Sequence, residues 1–327
     1  MFMCPKKLSG GPGTFKDNIE QFLYSKNIQI LHPESKIKPD IVFVISATRH
    51  FFTLIKFKII GIKIIQRLDG INWMHKHRTT GLKNFLKSEL INLQMNFIRK
   101  WIADKVVYQS DYVRQVWDDR YGKINHSLII HNGSRRVIED KNIIQSNEYV
   151  LTSVEGTIQD DNFTKNLISA ISKSIDRNSK IKKFELYGDC SEKMKKELSN
   201  HKVVFFGNVN RNQILNLYRD NHQRIFFMLE INPACPNSLI EALVNETPAI
   251  GYDMGSFKEI IQNCGIAIKY KGNPEKYELA NFNEISRSLE KIIASYNSFK
   301  ENCNKNHKEL SLDAMNEKYF NLFKSIS

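Results

Sequence analysis

The chain is expected to be an α/β protein made of two Rossmann-like parallel-sheet domains facing a central cleft, and three observations predict this. Apolar runs of strand length alternate with segments of helical periodicity twice, once before residue 133 and again from Tyr149 to about Lys300. Such alternation implies parallel sheets with helices on both faces, because right-handed crossovers place them there. At 327 residues the chain exceeds the usual size of one domain. Between the two runs, the polar segment Gly133 to Asn147 reads as a linker.

In the first run, Met1 to Cys4 reads as a short strand, Thr14 to Lys26 as a helix and Ile28 to Leu31 as a strand. Asp40 to Ser46 is a strand and Arg49 to Ile60 a helix. Ile62 to Leu68, Lys105 to Gln109 and His126 to His131 supply further strands, with helices between them. Gly81 to Ala103 carries Lys83, Lys87, Arg99 and Lys100 among Leu82, Phe85, Leu86, Leu90, Leu93, Phe97 and Trp101 at mostly helical spacing. A basic interfacial helix and an ordinary helix packed on a sheet share this pattern, and the ordinary helix is the favoured reading.

Composition narrows the classes. The hydrophobic fraction of 41% suffices for packed cores, and charges are mixed, which excludes disorder. The 5 cysteines are widely spaced and form no Cys-x-x-Cys pair, against both a disulfide framework and a zinc site. A reducing, cytoplasmic setting fits them. No segment reaches the roughly 20 apolar residues of a membrane span, and no secretory signal is expected at the N-terminus. The net charge of +13 attracts polyanions, including phosphorylated small molecules and anionic membrane surfaces. The lysines are dispersed and no nucleic-acid module is recognisable, so nucleic acid is an unlikely partner.

The most informative segment follows the apolar run Ile225 to Leu229: Cys235-Pro236-Asn237-Ser238-Leu239-Ile240-Glu241-Ala242-Leu243. It reads as a buried strand, a loop and a helix start, with Ser238 and Glu241 spaced as a capping box. Free amides and the helix dipole at such a start make a phosphate site, whereas the box alone needs no ligand. Thr247 to Asp253 reads as the next strand, and Met254 to Ile261 as a turn into a helix with its own Ser256–Glu259 box.

This succession resembles the C-terminal half of family 4 glycosyltransferases, which have the GT-B fold. The resemblance extends upstream through Phe184-Glu185-Leu186-Tyr187-Gly188-Asp189 and Val203 to Val209, then Ile214 to Tyr218, and covers roughly residues 148 to 300. It implies an N-terminal acceptor-side domain over 1–137, a C-terminal nucleotide-sugar domain over 148–307, and a last helix within 308–327 that packs back on the first domain. By the same resemblance Gly207, Asn208 and Val209 frame the base, and Glu241 holds the ribose hydroxyls, which a carboxylate suits. Asn237 and the amides of Ser238 and Leu239 meet the donor diphosphate. Lys165 matches the family lysine that neutralises it, but Gly156 is followed by Thr157 where the family has arginine.

A second departure lies eight positions before Glu241, where many members carry an acidic residue on the transferred sugar and this chain has Pro233. Asn232 and Glu230 are the nearest polar candidates for that role. In the first run, Gly10 and Gly11 of Gly10-Gly11-Pro12-Gly13 stand where the family has a glycine-rich loop near the donor phosphates, although a plain turn reads equally well. Asp69, in Gln66-Arg67-Leu68-Asp69-Gly70, ends a strand where family members place a polar residue beside sugar or acceptor. A simple turn would also account for Asp69-Gly70. Arg67 and His75 are weaker candidates.

The resemblance implies transfer of a sugar from a nucleotide-diphosphate donor to an acceptor hydroxyl, on a glycan, glycolipid or other molecule, with retention. Preorganised amides and a cation stabilise the departing diphosphate, so no cofactor or metal is expected. An impaired or non-catalytic nucleotide-sugar binder at an anionic surface is the alternative, and an epimerase or phosphorylase on a similar scaffold a further one.

Overall fold

The computed structural model describes residues 1–5, 10–76, 81–137, 147–199, 202–220, 222–273, 276, 278 and 283–326. Contacts divide the chain into two compact units, Met1–Asn132 with Leu312–Ser327, and Gly133–Ser311. Most of the expected linker, residues 138–146, lies outside the described residues.

Unit 1 holds a parallel sheet of β1 (Phe2–Met3), β2 (Ile41–Ile45), β3 (Lys63–Leu68), β4 (Lys105–Tyr108) and β5 (Ser127–Ile129), in that spatial order. Its helices are α1 (Gly10–Ser25), α2 (Phe51–Ile59), α3 (Leu82–Phe97), which continues as a π-type turn over Ile98–Ile102, and α4 (Asp111–Tyr121). Side chains of β2 alternate between faces, as a pleated strand requires. Phe43 and Ile45 pack with Phe15, Ile19 and Leu23 of α1 and with Met315, Tyr319 and Phe323 of the last helix of the chain. On the other face Gln66 of β3 donates to the carbonyl of Met95 in α3 at 3.1 Å.

Two expectations are corrected here. Ile28–Leu31 is not a strand: it joins none of the described ladders, and residues 28–31 instead line a cavity with Met1, Phe2 and Phe43. Helix α1 begins at Gly10 rather than Thr14, because Pro12 falls in the first turn, where the missing amide hydrogen costs no helical bond.

Unit 2 contains β6 (Tyr149–Thr157), α5 (Asn162–Asp176), β7 (Ile181–Asp189), α6 (Glu192–Glu197), β8 (Val203–Gly207), α7 (Arg211–Leu217) and β9 (Gln223–Phe227). It continues with α8 (Asn237–Val244), β10 (Ala249–Tyr252), α9 (Phe257–Ile261), β11 (Gly265–Ile268), α10 (Asn283–Ala294) and α11 (Tyr296–Asn306). The last helix, α12 (Leu312–Ile326), belongs to unit 1. All pairings are parallel, and the order across the sheet is β11-β10-β9-β6-β7-β8. Every residue of β9 is buried, as expected of a strand covered on both faces. Ile225 and Phe227 face α5 and α10, whereas Phe226 and Met228 face α8 and α9. Gly133 to Val137 is bound into this unit: Ser134 bridges Ser311, Arg136 pairs with Glu246 at 2.6 Å, and the Val137 amide donates to Asn245 at 2.7 Å.

Candidate active site

In unit 2 the chain runs outward from β6 to β7 and β8, then crosses back to β9, so strand order reverses between β6 and β9. Ligands of doubly wound sheets collect outside the carboxyl ends of the strands at such a reversal. Ser153 ties the two strands together there, donating to the Phe227 carbonyl at 2.5 Å. The loop after β9 leads into α8, whose first i→i+4 bond runs from the Ile240 amide to the Pro236 carbonyl at 3.2 Å. The amides of Ser238 and Leu239 therefore lie in the first turn, where a helix offers no acceptor of its own.

The expected capping box is not formed. Pro236 occupies the N-cap, which puts Ser238 and Glu241 one and four residues inside the first helical residue, out of box register. The Ser256–Glu259 box is likewise absent, since Ser256 sits at the N-cap of α9 without a side-chain bond to the helix. Glu241 instead turns into the protein, 6% exposed, and its Oε1 lies 2.7 Å from Nη2 of Arg211. Burial pushes its carboxyl up and Arg211 draws it back down. Arg211 is the first residue of α7, a helix started by a true capping box between Asn210 and Gln213. The pair thus joins the loop of Gly207, Asn208 and Val209 to α8. Just before that loop, exposed Phe206 stacks on Tyr187 with ring centroids 4.6 Å apart.

Lys165 sits in α5, which Asp161 caps through the Thr164 amide at 2.9 Å. Its Nζ is held by Asp160 at 2.6 Å and Glu197 at 2.9 Å. These hydrogen bonds raise the lysine pKa and lower that of Asp160. The cation is therefore already neutralised, and to meet a diphosphate it must exchange these partners.

At the strand reversal itself stand two carboxylates, Glu155 near the end of β6 and Glu230 after β9. The Glu155 carboxylate accepts from the Leu229 amide, while its Oε1 is buried without a partner. Burial and the neighbouring Glu230 charge push Glu155 up. Glu230 keeps a flank open to solvent, yet the protein packed around its carboxyl pushes it up to about 7. Gly188, at φ +136°, admits this geometry: a Cβ there would lie 2.5 Å from the Glu155 carbonyl oxygen.

The loop after β9 is clamped by the turn after β10. Asn232 has φ +52°, a left-handed conformation that asparagine tolerates better than most residues. Pro233 is buried, and its carbonyl accepts from the Ser256 amide at 2.8 Å. Gly255 packs directly on this peptide, where a Cβ would lie 2.5 Å from three of its backbone atoms. Among the described residues no group of three His, Cys, Asp or Glu is arranged to hold a metal ion.

The remaining candidates belong to unit 1. Gly10 and Gly11 open α1 and are not in a loop, in keeping with the early start of that helix. Asp69 follows β3, and its carboxylate accepts from Arg67 and from Gln109. Arg67 is 1% exposed, donates to Asn132 at 2.8 Å and lies over the Phe15 ring at 3.9 Å. His75 is buried against Glu89 at 2.5 Å, and the bonds Glu89 receives from His75 and Arg120 lower its pKa despite burial. Arg67 and His75 are thus internal, and Asp69 is committed to a polar network.

Residues 134–309, more than half of the chain, match the family described as "Glycosyl transferases group 1". The chain belongs to that family. No match was found among curated protein sequences. In fold, this group 1 glycosyltransferase is similar to sucrose-phosphate synthase from Thermosynechococcus elongatus, at 11% identity and TM-score 0.64 over 98% of this chain and 81% of that one. It is also similar to a glycosyltransferase from Rickettsia africae, at 17% identity and TM-score 0.62 over 98% and 83% of the two chains. A third similar structure is HepE from Anabaena in complex with UDP and glucose, at 11% identity and TM-score 0.65 over 99% of both chains. The GT-B fold is shared.

Three features of this glycosyltransferase escaped sequence reasoning. Arg211 carried no signal beyond its place at a helix start, and Glu155 carried only its neighbour Gly156. Of the two partners of Lys165, Asp160 stands in the loop just before α5, whereas Glu197 comes from α6, which no local pattern reveals.

Proposed function

We propose that the protein transfers a sugar from a nucleotide-diphosphate donor to a hydroxyl acceptor, with retention, in the synthesis of a glycan or glycoconjugate. The observation that carries this reading is the Arg211–Glu241 pair, which ties the start of α7, after β8, to α8, after β9. In this reading Gly207, Asn208 and Val209 frame the base through backbone atoms, and Glu241 accepts from the ribose hydroxyls. Asn237 and the amides of Ser238 and Leu239 receive the diphosphate, with Lys165 released to it from Asp160 and Glu197. Fixed amides aimed at developing negative charge need little reorganisation, so leaving-group stabilisation requires no metal. Glu230 and Asn232 face the transferred sugar. The basic balance suits an acceptor presented at an anionic surface.

The sequestration of Lys165 and the buried Pro233 favour one second reading, a nucleotide-sugar binder with impaired turnover. One experiment separates them. The protein is incubated with a panel of nucleotide sugars and hydroxyl acceptors, free nucleotide is followed by chromatography, and product anomers are assigned by NMR. Acceptor-dependent nucleotide release with retained configuration supports transfer, whereas binding without release supports the second reading.

A further inference from the structure

Helix α3 is apolar on two sides, and only one of them is covered. Asn92, Met95, Ile98 and Ile102 are buried against the rest of unit 1. The opposite side carries Leu82, Leu86, Leu90, Leu93, Phe97 and Trp101, at successive spacings that keep one helical face. All six are exposed, Leu82 at 75%, Leu90 at 66% and Trp101 at 71%. Twenty helical residues make this stripe roughly 30 Å long. It continues sideways onto α2, where Phe51 meets Phe97 with ring centroids 5.7 Å apart and Phe52 is 79% exposed. Monomeric soluble proteins rarely leave so extended an apolar surface open without a use.

Its charges are of one sign. Lys83, Lys87 and Lys100 are exposed beside the stripe, as is Lys56 on α2. Lys83, Leu86, Lys87 and Leu90 line a shallow groove with an apolar floor. The one acid of the α3 segment, Glu89, is drawn aside by His75 and Arg120, and Arg99 is buried against Asp118. A second copy of this face would set lysines against lysines. An anionic headgroup layer complements them, while leucines, Phe97 and Trp101 enter the boundary below and lysine stems snorkel beside them.

We infer that this face docks the protein peripherally on a bilayer rich in anionic lipid. The inference rests on unit 1 alone and stands apart from the transfer reaction. Flotation of the purified protein with vesicles tests it, comparing pure phosphatidylcholine with mixtures containing phosphatidylglycerol. Wild type is expected to float with the anionic vesicles and to be released by high salt. Leu86→Ser with Leu90→Ser, and separately Lys83→Glu with Lys87→Glu, should each weaken binding at least tenfold while circular dichroism remains that of wild type. Absence of wild-type binding at low salt, or binding unchanged in both variants, overturns the inference. So does a wild-type dimer in ultracentrifugation that the leucine variant abolishes while vesicle binding persists, since the stripe would then be an interface between copies. Should the serine variant misfold, the lysine variant alone decides the matter.

Discussion

Arg211 and Glu241, thirty residues apart in the chain, meet at 2.7 Å, and the carboxylate between them is buried while the guanidinium keeps access to solvent. The arginine thereby holds down the pKa of a carboxyl that burial alone would raise further. Arg211→Ala is expected to weaken nucleotide-diphosphate binding, and more so at pH 6 than at pH 8, because the unpaired Glu241 takes up a proton at higher pH. Calorimetric titration across that range checks this. An equal loss at both pH values would show that Arg211 does not act through Glu241.

Lys165 yields a test of opposite sign. Glu197→Gln removes one of its two carboxylates and should strengthen nucleotide-diphosphate binding several-fold, whereas Lys165→Ala should weaken it. If neither substitution changes affinity, Lys165 is a surface ion pair and no more.

Asn232 allows a side-chain role to be separated from a backbone one. Its positive φ suits glycine, so Asn232→Gly should keep wild-type stability, whereas Asn232→Ala should lose about 1 kcal/mol to strain. A sugar-contacting side chain predicts an equal fall in turnover for both variants, measured with denaturation curves alongside. Turnover lost only in the alanine variant would assign the effect to the loop.

The carboxylates at the strand reversal predict a pH dependence of stability. A carboxyl raised to about 7 in the folded state stays protonated while its unfolded counterpart ionises near the ordinary glutamate value. The unfolded state then binds fewer protons, so stability falls as pH rises from about 4.5 to 7. Glu155, raised as well, acts in the same direction. Glu230→Gln should flatten this slope in urea denaturation at pH 5 and pH 8, and an unchanged slope would remove Glu230 as its source.

In unit 1, Asp69→Ala leaves Arg67 buried beside a lost carboxylate and should cost about 3 kcal/mol. Its thermal midpoint should fall well below that of Lys83→Ala, which touches no such network. A wild-type midpoint would show that Asp69 is free of the structural duty its contacts indicate, and would return it to the acceptor side.

Much of the fold was legible because its signals are local. The buried run of β9, the Pro-Asn pair that ends its loop and the apolar faces of α5, α10 and α12 depend on residues within a few positions of one another. The family likewise follows from an ordered set of such segments. Long-range pairing carries no comparable mark. Ile28–Leu31 has strand composition, but a ladder needs a partner strand, and none of the described strands pairs with it.

The site divides in the same way. A helix start at Ser238 and a role for Glu241 were readable from sequence, yet the N-cap lies two residues earlier, at Pro236, and Glu241 forms an ion pair with Arg211 in place of the supposed capping box. Sequence by itself determined two runs of strands and helices, the family and the loop before α8. Tertiary structure alone decided which distant charges meet: Arg211 with Glu241, Lys165 with Glu197, and Glu155 beside Glu230. The physical reason is that helix and strand periodicity constrains neighbours in the chain, whereas the partner of a charge is set by sheet order and crossovers that bring distant segments together.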